Sequence, residues 1–148
     1  MATRFRHFAT AFLLGAVVFI SDILSKTIFF AAAETNPTGF LIAHKNYGIS
    51  FNIPLPLWLT VCIAIGALIW AVWSLSKLQT SSFKLQALFL GIFMGGVIGN
   101  VFDRITLGYV RDWLLLFGRS AVNLADGAIL VGLVGYFLLT KQPKKGTE

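Results

Sequence analysis

A lone cysteine, Cys62, leaves no disulfide to form and no thiolate set for a metal, which excludes a disulfide scaffold and a cysteine-bound metal centre. Cys62 lies in an apolar run and reads as a small buried hydrophobe. The two histidines, an interfacial His7 and His44 in an outer segment, lack partners at ligand spacing, so neither a metal nor another cofactor is expected. Charge is also scarce. Charged residues make up 12% of the 148, against about 25% in soluble domains. Only six residues are acidic, and four of these are the aspartates Asp22, Asp103, Asp112 and Asp126. Apolar residues take the vacated share, at 57% with a mean hydropathy of +0.80, so the natural solvent is lipid. Residues 1–148 suffice for one integral-membrane domain and leave no room for a second.

The net charge of +6 does not indicate a nucleic-acid partner, because the basic residues sit at the ends of apolar runs rather than along one stripe. Crossing a hydrocarbon core of about 30 Å takes roughly 20 apolar residues in a helix. Four stretches meet that requirement, at about 8–31, 57–75, 85–102 and 121–139. With both termini cytoplasmic, Arg4, Arg6, Lys77, Lys84, Lys141, Lys144 and Lys145 lie inside, and Lys45, Arg104, Arg111 and Arg119 lie outside. The positive-inside rule favours that orientation. Reading the N-terminus as a cleaved secretory signal would require an apolar region running through Asp22 and Lys26, far longer than the usual roughly 7–15 residues. Between the first two spans, Ile49, Phe51 and Ile53 alternate with Ser50 and Asn52, preceded by the turn-forming Asn46-Tyr47-Gly48. The expected fold is therefore an all-α membrane protein with four transmembrane helices and a small β-rich segment on the outer face.

Depth brings the aspartates together. At 1.5 Å per residue, Asp22 lies roughly 21 Å into the first span, in its outer half. Asp103 ends the third span on the outer side, Asp112 sits in an outer loop, and Asp126 lies one to two turns into the fourth span. An aspartate within a membrane helix costs about 2.5–3.5 kcal/mol at the centre, so such residues face protein or water and mark functional sites. Asp22 and Lys26 are spaced i,i+4 and form a structural ion pair. Asp103, with Arg104 beside it and Asn100 one turn back, reads as a polar cluster anchoring a helix end. Asp126 has no basic neighbour on its helix, only Asn123 on the same face. Gly91, Gly95 and Gly99 have the spacing that lets membrane helices pack closely.

Five motifs then carry a resemblance. GGVIGNVFDR (95–104), YVRDWL (109–114), NLADGAI (123–129), NYGISF (46–51) and the pair Asp22 and Lys26 resemble the bacterial lipoprotein signal peptidases, or type II signal peptidases. They cover nearly the whole chain in the family's order. The resemblance implies a metal-free aspartic endopeptidase that removes the signal peptide from diacylglyceryl-modified prolipoproteins just before the lipidated cysteine. It implies a catalytic pair of Asp112 and Asp126, with Asn46, Gly48, Asn100, Asp103, Arg104 and Asn123 supporting the pair or lining the substrate site. It also implies a multi-pass monomer of the bacterial cytoplasmic (inner) membrane, surrounded by lipid, with its site near the outer leaflet. Arg111 stands where the family more often has a small apolar residue, and Trp113 where phenylalanine is more usual. Ten residues separate Asp112 from Asn123, fewer than is common in the family, and the shortfall falls on a short surface helix.

Two carboxyls held close cannot both ionise, so such a pair shares one proton. The ionised partner activates a water, and the protonated one polarises the scissile carbonyl and then protonates the leaving amine. Two alternatives compete. A small transporter or proton pathway would also use membrane aspartates, but at several depths. Within the peptidase reading, the cation of Arg111 would hold Asp112 ionised in a surface pair if Asp103 rather than Asp112 were the partner of Asp126.

Overall fold

The computed structural model describes residues 2–48, 55–78 and 84–140. Helix α1 (Ala2–Ser25) runs into a π-helical turn (Lys26–Phe30) and a last short helix α2 (Ala31–Thr35). Strand β1 (Leu41–Asn46), helix α3 (Leu57–Lys77) and helix α4 (Lys84–Leu107) follow, then strands β2 (Val110–Leu116) and β3 (Ser120–Val122) and helix α5 (Leu124–Thr140). Three helical segments are long and apolar enough to cross a membrane, at Phe5–Thr35, Leu57–Lys77 and Lys84–Leu107, and α5 is a shorter apolar helix. The fourth stretch therefore starts later than expected. Ala121 and Val122 belong to β3, and α5 begins only at Leu124.

Helix α4 forms the centre, packed between α1 and α5, with α3 along its side. Lipid-facing and protein-facing positions separate along α1 and into the π-helical turn, where Leu13, Val17, Ile20 and Leu24 are exposed and Ala11, Asp22 and Lys26 are buried. Leu75, Leu90, Phe93 and Met94 fill the core between α3 and α4, backed by Trp70. Cys62 is exposed on α3 rather than buried, and His7 is buried against the bundle. Close helix approach depends on missing side chains. A Cβ at Gly91 would strike the backbone of Ala11, and one at Gly99 would strike the carboxylate of Asp22.

The small antiparallel sheet has the order β1-β2-β3 and lies where α2 and α4 end and α3 and α5 begin. The strand found is Leu41–Asn46, ahead of the Asn46-Tyr47-Gly48 turn, while the alternation at 49–53 lies outside the described residues. Gly108, at φ 82°, lets the chain leave α4 and enter β2, its N–H closing on the Arg104 carbonyl at 3.1 Å. Asp112 is thus in a strand, not a loop. In place of a surface helix, a three-residue loop, Phe117, Gly118 and Arg119, joins β2 to β3. Phe117 and Gly118 take positive φ at 52° and 65°, and Arg119 N–H donates to Leu116 O at 3.0 Å, which is a type I′ turn.

Candidate active site

All four aspartates meet at the sheet end of the bundle, three of them (Asp22, Asp103 and Asp112) with no exposed surface. Register explains Asp112. Lys45 pairs with Arg111 and His44 with Asp112, so alternation sends Arg111 and Asp112 to opposite faces of β2. On the Asp112 face, Asn46 Nδ2 donates to Asp112 Oδ2 at 3.0 Å from the adjacent strand. Asn123 Nδ2 donates to Asp112 Oδ1 at 2.6 Å. On the opposite face, Trp113 stacks on Phe29 of the π-helical turn, with ring centroids 4.6 Å apart.

Asp126 sits in the first turn of α5, not one to two turns deep. It forms a reciprocal cap with Asn123: Asp126 N–H donates to Asn123 Oδ1 at 3.0 Å, and Asn123 N–H donates to Asp126 Oδ2 at 3.2 Å. The other oxygen, Oδ1, accepts Asn100 Nδ2 at 2.8 Å. Asn123 therefore touches both carboxylates. Among the described residues, neither Asp112 nor Asp126 makes an ion pair, and their side-chain donors are all neutral amides. Burial, and next the negative charge of Asp126, push the Asp112 carboxyl up from 3.8 to about 7, against the opposing pull of Asn46, Asn123 and the Lys26 charge.

The remaining acids are paired with cations. Lys26 Nζ lies 2.7 Å from Asp22 Oδ2 and 3.5 Å from Asp103 Oδ2, all three groups fully buried. Arg111 does not pair with Asp112. Its Nη2 donates to Asp103 Oδ1 at 2.8 Å and its backbone N–H to Asp103 Oδ2 at 3.0 Å. Asp103 is accordingly an ion-pair centre served by Lys26 and Arg111. Arg104 turns away from it, with Nη2 donating to Gly48 O at 2.7 Å and Nη1 to Asn100 O at 3.2 Å. The charges of the cluster, buried and half-buried, then sum simply. Lys26, Arg104 and Arg111 balance Asp22, Asp103 and one further negative charge, which is what Asp112 and Asp126 carry when they hold one proton between them.

A cavity of about 220 Å³ opens beside this cluster between α3, α4 and α5. Asn46, Asn100, Arg104 and Asp126 give it a polar end, and Ile63, Val97 and Ile129 give it apolar walls. The sequence, through its family resemblance, had marked every residue of the polar end. It gave no sign of the α3 wall or of the Asp103–Arg111 contact, since eight positions spanning a helix end match no helical or strand period.

The family model described as Signal peptidase (SPase) II matches residues 14–141. A lipoprotein signal peptidase of Dehalococcoides mccartyi is 31% identical over 138 residues, covering 86% of each chain. One from Pseudoalteromonas atlantica is 32% identical over 148 residues, covering 89% of this chain and 90% of its own. A solved structure, described as a bacterial membrane enzyme determined by the in meso method at 2.3 Å resolution, superposes with a TM-score of 0.77 at 24% identity. That match covers 95% of this chain and 93% of the other, and it carries the fold.

Proposed function

The chain belongs to the signal peptidase II family, peptidases that remove signal peptides from prolipoproteins, and from that premise we propose that Asp112 and Asp126 are its catalytic pair. The observation that carries this is that the two carboxylates are held by neutral amides and form no ion pair with any described cation. Three asparagines orient them, so the pair can titrate as a unit with one shared proton. Asp112, whose carboxyl burial raises to about 7, is the partner that carries the shared proton and acts as the acid. Asp126, opening on the cavity, is the base that takes a proton from the attacking water. Asn46, Asn100 and Asn123 hold the pair, and Arg104 tethers the chain at Gly48, two residues after Asn46. The apolar walls suit a precursor whose cysteine carries a diacylglyceryl group, with cleavage just before that cysteine. The transporter alternative expected acids at several depths, whereas these converge at one end.

In this reading residues 1–148 form one monomeric domain with four spans, α5 being the fourth. Its 17 residues reach about 25 Å, within the roughly 17–25-residue range of membrane helices. The bacterial inner membrane, both termini in the cytoplasm and the sheet at the outer leaflet complete the placement.

The decisive experiment is cleavage of a diacylglyceryl-modified precursor by purified Asp112→Asn, Asp126→Asn and the double variant. Each single change should lower kcat by about 10²–10⁴-fold, and the double change should cost little more, because the pair acts as a unit. Asparagine at 112 must turn its own amide toward that of Asn46 or Asn123, so thermal midpoints should accompany the rates. Near-normal cleavage by Asp112→Asn would end the assignment.

A further inference from the structure

The Asp22–Lys26 pair has more partners than a structural ion pair needs. Lys26 Nζ donates to Asn100 Oδ1 at 2.9 Å and makes two ion pairs, with Asp22 Oδ2 at 2.7 Å and Asp103 Oδ2 at 3.5 Å. The two carboxylates it bridges also accept backbone hydrogens. Asp22 Oδ1 accepts Ala125 N–H at 2.9 Å, and Ala125 directly precedes Asp126. Asp103 Oδ2 accepts Arg111 N–H at 3.0 Å, and Arg111 directly precedes Asp112. One cation thus lies between the two groups that hold the chain immediately before each carboxylate of the pair.

A second effect runs through Asn100. An ammonium only donates, so the amide atom facing Lys26 must be Oδ1, and Nδ2 is left to face Asp126, which it does at 2.8 Å. Without Lys26 the amide is free to turn its oxygen toward Asp126, where oxygen would face oxygen. The local backbone departs from regularity at the same residue. The π-helical turn begins at Lys26, and such turns inside α-helices occur often at functional sites.

We propose, on the reading that Asp112 and Asp126 are the catalytic pair, that Lys26 is their positioning residue. It fixes their relative placement through Asp22 and Asp103, and it fixes the donor face of Asn100 toward Asp126. It touches neither reacting group. Its charge also acts on the pair, in company with Asp22 and the π turn's own helix, Asp103 and Arg104 on α4, Arg111 on β2, His44 on β1 and Asp126 on α5.

Lys26→Met alone strands two buried carboxylates, so its folding is a severe test by itself. The informative protein is the double variant Asp22→Asn/Lys26→Met. It removes one charge of each sign, leaves Asp103 with Arg111, and keeps an oxygen at position 22 for Ala125 N–H. Both variants should be purified in detergent and assayed on the lipid-modified precursor, alongside Asp112→Asn. The expected double variant is folded, loses at least tenfold in kcat with KM within threefold of the parent, and shows its alkaline pH limb at higher pH, since a cation favouring the ionised pair is gone. Parental kcat and an unchanged pH profile in the double variant would reduce Lys26 to charge neutralisation and overturn the proposal. Failure of that charge-balanced protein to accumulate would overturn it too, by assigning Lys26 to folding. The Asp112→Asn arm keeps the two ideas apart. Activity there sinks the catalytic pair itself, whatever Lys26 does.

Discussion

At the scale of single residues, Asp112 is where burial bears on the proposed chemistry. Its carboxyl sits at about 7 instead of 3.8, so it keeps its proton through the acidic range and loses it as pH rises past neutrality. A reaction that needs one proton on the pair should therefore lose rate as pH climbs through about 7, as a pH–kcat series would show. The stability consequence has the same sign. Between 3.8 and about 7 the folded state holds this proton more tightly than the unfolded chain, so this group's contribution to stability falls as pH rises across that window. Asp126→Asn removes the neighbouring negative charge and should bring the Asp112 carboxyl back toward the ordinary range, readable by infrared difference spectra of the carboxyl band. Of these residues the sequence disclosed the Asp22–Lys26 pair, because i,i+4 spacing is a property of one helix. It did not disclose the Arg111–Asp103 contact, because only strand alternation puts Arg111 and its neighbour Asp112 on opposite faces.

Elements set the tolerances that residues work within. Gly99 leaves the room that Asp22 fills, so Gly99→Ala should push that carboxylate off Ala125 N–H and off Lys26. A loss of about 1–3 kcal/mol is expected, visible as a lower thermal midpoint in detergent together with reduced cleavage. Gly39→Ala meets nothing within 4 Å and should leave both unchanged. The start of α5 shows why element boundaries were the weakest part of the sequence reading. Ala121 and Val122 are as apolar as the helix behind them, and only the Asn123/Asp126 cap, a geometric fact, separates β3 from α5. The cap signature was present in Asn123-Leu124-Ala125-Asp126, but it was read as shared helix face rather than helix start. The hairpin at Phe117 and Gly118 gave less warning still, since phenylalanine at positive φ runs against turn preference.

For the whole molecule, hydropathy made the helical class legible and spacing made the aspartate cluster legible, since both follow from local periodicity. What joins the cluster into a site was legible only through the family resemblance, because Asn46, Asn100 and Asn123 arrive from different elements by tertiary packing. The proposed topology has a direct check. In a background lacking Cys62, a cysteine at Thr38 should react with an impermeant maleimide added outside intact cells, and one at Gln79 should not; the reverse pattern would invert the placement. The balance among the seven charged groups of the site carries one more consequence. A membrane voltage acts on net charge moved through it, by about 2.3 kcal/mol per elementary charge per 100 mV. With Lys26, Arg104 and Arg111 offset by Asp22, Asp103 and a singly protonated pair, the working site presents the field with no net charge to pull on. Turnover in proteoliposomes should then be the same, within about twofold, whether a potassium diffusion potential of either sign is imposed or collapsed, so the peptidase would work equally well in energised and de-energised membranes.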